Sequence, residues 1–162
     1  MTTDPNRVPK LSLDSFSLAG RVAIVTGGSD GIGRGIAHSF ADAGAKVVIA
    51  ARGQEKIDSV LAELAAKGHD ALGVPTDVTD PEATQALARH ALERFGQIDI
   101  LANVVGGSQG PTFKRGPLLE LDKADFMEAV NINVASAFLC SKAVVPHMLE
   151  RRHGVIINMA SI

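Results

Sequence analysis

The stretch VTGGSDGIGRGIA, residues 25–37, places five glycines directly after a β-branched run, RVAIVT at 21–26. The residues that follow carry apolar side chains at helical spacing. A glycine-rich turn between a strand and a helix lets the backbone approach a phosphate closely, and free N–H groups at the positive end of the helix dipole meet its charge. Residues 25–37 therefore predict a pyrophosphate-binding turn. The alternative is an ordinary tight turn, which needs fewer glycines.

Strand and helix patterns alternate along the rest of the chain. Short apolar or β-branched runs occur at 46–51, 70–76, 98–103 and 155–159, and segments with helical apolar spacing separate them. Strands that alternate with helices pack as a parallel sheet with helices on both faces. The sequence therefore predicts a doubly wound α/β fold of the Rossmann type with five strands, in which the fifth strand is left at an edge.

The chain divides into two parts. Residues 1–17 contain two prolines and scattered polar residues, so they predict a loose leader, and residues 18–162 form the predicted domain. Thr79 or Asp80 is expected to cap the third helix. The next helical segment is long, and its predicted apolar stripe consists of Phe126, Val130, Val134 and Phe138.

Composition excludes several classes of function. Lys and Arg total 16 against 18 Asp and Glu, with no long run of either sign, so neither nucleic acid nor a membrane surface is an expected partner. The single Cys140, predicted to pack on a helix, suits a reducing cytoplasm. No signal-peptide core and no apolar segment of bilayer-spanning length are expected. The histidines lack metal-ligand spacing, so no metal site is predicted.

The turn TGGSDGIG at 26–33 resembles the TGxxxGIG signature of the classical short-chain dehydrogenase/reductase family. Other segments also resemble segments of the family pattern and follow in the same order. They are TDV at 76–78, DILAN followed by Gly106, NINVASAFL around Asn133, and GVIINMASI at 154–162. The resemblance covers the predicted domain to its last residue. It corresponds to the N-terminal part of the family pattern only.

The resemblance implies that the protein transfers a hydride between a nicotinamide cofactor and a small carbonyl or alcohol substrate. It also implies a set of cofactor-binding residues, all in the turn or after strands. They are Gly27, Ser29, Asp30, Gly31, Ile32, Gly33, Arg52, Asp77, Val78, Asn103 and Gly106.

The choice between NADP and NAD depends on the end of the second strand. An acidic residue there binds the ribose 2′-hydroxyl and a basic one a 2′-phosphate, so Arg52 predicts a preference for NADP. Asp30 weighs against a preference for NADP, because it places a negative charge in the glycine-rich turn near the 2′-phosphate. The alternative is that Arg52 is only a solvated surface charge. Asp77 is implied to accept from the adenine amino group beside the Val78 backbone. Alternatively, it caps the turn before Thr79.

Two residues are implied to be catalytic. Ser161 matches the serine that hydrogen-bonds the substrate carbonyl, although a serine at a strand end is more often only a turn residue. Asn133 matches an asparagine that disrupts its helix and holds a water of the proton relay. The chain departs from the family after Asn103, where Val104 and Val105 replace an asparagine and an alanine.

The sequence contains no tyrosine, whereas the family performs proton transfer with a tyrosine in a YxxxK helix beyond the catalytic serine. General acid–base catalysis is worth roughly 10²–10⁴-fold in rate, so this chain alone is predicted to be inactive and to be a fragment of a longer enzyme. The complete protein is expected to be a homo-oligomer. The alternative function is a non-catalytic dinucleotide-binding remnant or partner subunit.

Overall fold

A computed structural model describes residues 16–108 and 113–160. In this part of the chain, five strands and five α-helices alternate in the order predicted, apart from a break in the long fourth helical segment. The elements are β1 Val22–Thr26, α1 Gly31–Asp42, β2 Lys46–Ala51, α2 Gln54–Ala66, β3 Ala71–Pro75, α3 Pro81–Phe95, β4 Ile100–Asn103, α4 Lys123–Val130, α5 Ser136–Arg151 and β5 Val155–Asn158.

The five strands form a parallel sheet in the order β3-β2-β1-β4-β5. The chain runs outward from β1 to β3 on one side and then crosses back to β4 on the other. The order therefore reverses between β1 and β4, where Ala23 pairs with Ile100 and Val25 with Ala102. In doubly wound sheets, ligands bind beyond the carboxyl ends of the strands at such a switch point. The predicted fold is confirmed.

The core has two layers because β1, buried on both faces, sends alternate side chains to opposite sides. Ile24 packs with residues of α3 and α5 such as Leu87 and Val144. Val25 packs on the other side, in a cluster that includes Ile57 of α2. These layers fix the turn after β1 against a rigid sheet.

The predicted start of α3 is confirmed. Asp80 is its N-cap, and the side chain accepts a hydrogen bond from the Glu82 N–H at 2.9 Å. Pro81 occupies the first turn, where its missing N–H costs nothing. Gly96 ends the helix in the left-handed region at φ 75°.

The apolar stripe predicted for the long helical segment is wrong. Three of its members, Phe126, Val134 and Phe138, are more than half exposed. The face of α5 that packs toward the sheet has smaller side chains near its start, which allow a close approach. Its buried residues are Ser136, Cys140, Val144 and Met148.

The helical stretch Lys123–Arg151 is 29 residues long, and by length and composition alone it would suffice to cross a membrane. The expectation that no segment reaches that length is therefore wrong. A core helix of a globular protein passes the same test, and in α5 the side chains of Cys140 and Val144 pack into the core cluster of the sheet.

Strand β5 pairs with β4 on one side and lies at the edge of the sheet. Ile156 packs against the core, whereas Val155 and Ile157 are about half exposed. Within the described residues, β5 thus presents one free edge and an apolar face to solvent, as the sequence predicts.

A buried carboxylate joins the amino ends of the strands. Asp99 is 1% exposed and accepts hydrogen bonds from the Val22 N–H at 2.8 Å, Gln97 Nε2 at 2.7 Å and Arg151 Nη1 at 3.1 Å, with Arg21 Nη1 at 3.5 Å. Burial raises the pKa of Asp99, but the Val22 N–H, Arg151 and Gln97 outweigh that effect and hold the pKa below its ordinary value. Asp99 therefore links β1, β4 and α5 at the end of the sheet opposite the glycine-rich turn.

Candidate functional site

The glycine-rich turn closes tightly on the start of α1. The Gly27 N–H donates to the Ala50 carbonyl at 2.8 Å, and Gly27 has a φ of 68°, which favours glycine. A Cβ at Gly33 would lie 2.1 Å from the Gly27 carbonyl oxygen. Only glycine at position 33 therefore lets the helix pack directly on the turn.

Asp30 is the N-cap of α1. Its Oδ1 accepts from the Gly31 N–H at 2.8 Å and its Oδ2 from Lys56 Nζ at 2.5 Å. Hydrogen bonding with Lys56, then with the Gly31 N–H, lowers the pKa of Asp30. The negative charge at this position is thus balanced by Lys56, a cation that the sequence analysis missed.

The turn also exposes donors and an apolar side chain. The N–H groups of the first helical turn, among them those of Ile32 and Gly33, have no acceptor within the helix, and the helix dipole makes them a site for an anion. Ser29, next to the cap, is partly buried. Ile32 is 67% exposed, which is unusual for a large apolar residue that begins a core helix.

Thr26 ties the turn to the loop after β4. Its side chain is buried, and Oγ1 accepts from the Val104 N–H at 3.0 Å and lies 3.4 Å from the Val105 N–H. A Cβ at Gly27 would lie 3.3 Å from Val105 Cγ2, so the two loops are in contact. Thr26 appeared in the motif, but the sequence analysis gave it no role.

Asn103 lies at the end of β4 and is 5% exposed. Its Nδ2 donates to Asn158 Oδ1 at 2.9 Å and lies 3.3 Å from Ser141 Oγ. These contacts join β4 to β5 and α5. Its Oδ1 is buried with no hydrogen-bond partner among the described residues, which marks an acceptor that a further group can satisfy.

Asn133 lies in a single π-helical turn, Asn131–Ala135, between α4 and α5. Its Nδ2 donates to the carbonyls of Gly107 at 2.8 Å and Ala129 at 2.9 Å, and its Oδ1 accepts from the Gly107 N–H at 3.0 Å. A Cβ at Gly106 would lie 2.6 Å from Asn133 Oδ1. The helix is thus irregular at Asn133, as the resemblance implies, and its side chain holds the loop after β4.

A cavity of about 820 Å³ opens where the turn, this loop and the end of β5 meet. Ile32, Gly106 and Asn133 line it, and the structure thereby brings together three of the predicted site residues. Arg115 also lines the cavity. Ala160 lies on the wall, and the next residue, Ser161, lies outside the described residues.

Arg52, Asp77 and Val78 follow β2 and β3 and do not line this cavity. Asp77 Oδ1 accepts from Thr79 Oγ1 at 2.7 Å and from the Thr79 N–H at 2.9 Å, so Asp77 does stabilise the turn before Thr79. These hydrogen bonds, with a smaller contribution from the charge of Arg52, lower the pKa of Asp77. The side chain of Val78 is buried in the core, whereas Arg52 is exposed.

The residues fit a dinucleotide in two respects. Glycine is required where the turn meets α1, which leaves backbone N–H groups rather than side chains around the anion site. The cavity beside that turn combines apolar side chains such as Ile32 and Val104 with the polar groups of Asn133 and Arg115. Fold and site together define a Rossmann-type α/β protein with a candidate dinucleotide site at its switch point.

The chain belongs to the short-chain dehydrogenase/reductase family, since the family model described as short chain dehydrogenase matches residues 21–162. It is 38% identical over 146 residues, 90% of this chain and 57% of the relative, to (2S)-[(R)-hydroxy(phenyl)methyl]succinyl-CoA dehydrogenase subunit BbsD of Thauera aromatica. It is 39% identical to 2-dehydro-3-deoxy-D-gluconate 5-dehydrogenase of Formosa agariphila, over 94% of this chain and 56% of that protein.

The fold is also similar to solved structures of the family. A 7 alpha-hydroxysteroid dehydrogenase complexed with NADH and 7-oxo glycochenodeoxycholic acid matches with a TM-score of 0.84 and 36% identity, over 93% of this chain and 57% of that one. Family members use NAD(H) or NADP(H). The chain spans about half the length of the curated relatives it matches.

Proposed function

We propose that this chain is the cofactor-binding part of a nicotinamide-dependent oxidoreductase that acts on a carbonyl or alcohol. The observation that carries the proposal is the contact between Gly33 and Gly27, which only glycine allows and which packs the start of α1 onto the turn after β1. The match of residues 21–162 to the family supports the same function.

The bound cofactor supplies or accepts the hydride, and residues of this chain position it. The N–H groups of Ile32 and Gly33 at the N-terminus of α1 would hold the pyrophosphate. Asp77, whose Oδ1 accepts hydrogen bonds from Thr79, would also accept from the adenine amino group beside the Val78 backbone. Gly106 leaves space for the side chain of Asn133, which hydrogen-bonds Gly107 and would hold the loop after β4 beside the cofactor.

The chain's part in the chemistry is to bind and orient the substrate. Ser161 donates a hydrogen bond to the substrate carbonyl, and Asn133 places a water for the proton relay. The chain contains no tyrosine, and within the described residues β5 has one free edge and an apolar face, so we assign the proton donor to polypeptide outside this chain that pairs with β5.

NADP is the proposed cofactor because Arg52 is exposed after β2 and Lys56 neutralises Asp30. Replacing Arg52 with aspartate is expected to weaken NADPH binding by about 10- to 100-fold, since charge-assisted hydrogen bonds contribute about 1.5–3 kcal/mol. NADH binding should be unchanged or stronger, because an acid suits a ribose 2′-hydroxyl. Fluorescence titrations with both dinucleotides measure the change.

The matched control is Arg89→Asp, which changes an exposed arginine on α3 by the same charge and lies outside the site. It should leave the preference between the two dinucleotides as in the wild type. Equal loss of NADPH affinity in both variants, or none in Arg52→Asp, would show that Arg52 does not select the cofactor.

A binding protein without catalysis is the second candidate, and the absence of tyrosine from this chain favours it. The two functions differ in turnover by the longer protein. An enzyme reduces at least one ketone in a broad panel with NADPH, whereas a remnant or partner subunit binds NADPH and reduces none.

We also propose that the complete protein is a homo-oligomer and that it is cytoplasmic. The exposed Phe126 and Phe138 on α4 and α5 form an apolar surface that suits a homo-oligomer of the complete protein. Cys140 is buried, and burial raises its pKa to about 12, so the thiol is an inert packing residue as predicted. A single buried thiol fits the reducing cytoplasm, the proposed location.

A further inference from the structure

The loop before α4 is anchored by the two residues that precede Arg115. Phe113 is buried. The Lys114 N–H donates to Asp125 Oδ1 at 3.0 Å, and its Nζ lies 3.8 Å from Asp125 Oδ2. Asp125 is itself fixed, because it forms a capping box with Asp122 at the start of α4. These contacts place the next residue, Arg115, on the wall of the cavity.

Within the described residues, the guanidinium of Arg115 has no ion-pair partner. No hydrogen bond or ion pair joins it to any residue in 16–108 or 113–160. Among the described residues that line the cavity it is the only charged one, and its neighbours there include Val104, Asn133 and Met159. An unpaired guanidinium beside apolar walls is a binding site for an anion.

We propose that Arg115 binds a carboxylate of the substrate, so that the substrate is an oxo acid or the corresponding hydroxy acid. This inference rests on the proposed function, because it assigns a substrate class to the same site. A carboxylate carries one charge and matches the fork of one guanidinium through two parallel hydrogen bonds. One guanidinium balances the charge of a carboxylate but only half that of a phosphate dianion, and the described lining contains no second cation.

The position of Arg115 also favours substrate over cofactor. The pyrophosphate site is the N-terminus of α1, where backbone N–H groups meet the charge. Arg115 lines the same cavity as Met159 and Ala160, which directly precede Ser161 in the chain. The cation therefore lines the cavity at which the end of β5, leading to the proposed carbonyl-binding serine, also lies.

The test compares 4-oxo-4-phenylbutanoate with its methyl ester, which differ in charge and share the ketone. Isothermal titration calorimetry measures both on the full chain, with and without NADPH, for wild type, Arg115→Gln, Arg115→Lys and Arg89→Gln. The wild type and Arg89→Gln should bind the acid about 10- to 100-fold more tightly than the ester. Arg115→Gln should lose this preference, and Arg115→Lys, which keeps the charge without the fork, should retain part of it.

Three results would overturn the inference: no preference for the acid in the wild type, a preference that survives in Arg115→Gln, or binding of neither compound. A loss of NADPH affinity in Arg115→Gln with an unchanged acid preference would assign the arginine to the cofactor instead. NADPH binding without an acid preference sinks this inference and leaves the proposed function standing. An acid preference without NADPH binding sinks the proposed function alone.

Discussion

Replacing Gly33 with alanine is expected to weaken NADPH binding at least tenfold and to lower the free energy of unfolding by about 1–3 kcal/mol. The added Cβ would lie 2.1 Å from the oxygen and 2.6 Å from the carbon of the Gly27 carbonyl. Both are backbone atoms, so no side-chain rotation relieves the overlap. The start of α1 must move away from the turn, and that movement removes the N–H groups from the pyrophosphate.

The matched control for this change is Gly35→Ala, one half-turn later in the same helix. A Cβ there has no atom within 4 Å, and alanine is the better helix former by about 0.5–1 kcal/mol. This variant should bind NADPH as the wild type does and unfold at slightly higher urea concentration. If Gly33→Ala binds NADPH as tightly as Gly35→Ala, the turn does not form the binding site.

Replacing Asp99 with alanine is expected to lower the free energy of unfolding by about 3–5 kcal/mol, a large part of the stability of a domain this size. The carboxylate is 1% exposed, and its loss leaves the Val22 N–H without its acceptor and removes the ion pair of the partly buried Arg151. Urea denaturation followed by circular dichroism measures the change.

Asp99 also predicts a dependence of stability on pH. Its pKa in the folded protein lies below the ordinary value, so its contribution is fully present above the pKa of the unfolded chain, about 3.9. The contribution is lost as the pH falls from there through the folded pKa. The free energy of unfolding of the wild type should therefore drop more steeply below about pH 4 than that of Asp99→Ala.

Asp70→Ala provides the control, because Asp70 forms an ion pair with Arg94 at 2.6 Å on the surface. Exposed pairs contribute about 0–1 kcal/mol. A loss of similar size in the two variants would contradict the central role assigned to the buried carboxylate. So would identical acid dependence in Asp99→Ala and the wild type.

The sheet was predictable from sequence because its signals are local. The run KVVIAA predicts β2 with the bounds that the structure has, Lys46–Ala51, and the glycines after β1 mark the turn that defines the switch point. Alternation of strands and helices then leaves few arrangements that obey right-handed crossovers. Fold class and the position of the site follow from these features alone.

The parts that sequence reasoning missed depend on contacts between distant segments. In the sequence, Asp99 is only an acidic residue before a strand. Its role is visible only in the folded chain, where Arg151 forms an ion pair with it. The partner of Thr26 lies 78 residues away. In the long helical segment, periodicity indicates a helix, but it does not identify which apolar face meets the sheet, so Phe138 was placed in the core.

The central claim is that this chain binds a nicotinamide dinucleotide at the turn after β1. A titration of the chain into NADPH, with direct excitation of the dihydronicotinamide, tests it most simply, and the chain contains no Trp and no Tyr to interfere. We expect saturable 1:1 binding that Gly33→Ala weakens at least tenfold and Gly35→Ala preserves. A chain that is folded by circular dichroism and shows no saturable NADPH binding would contradict it.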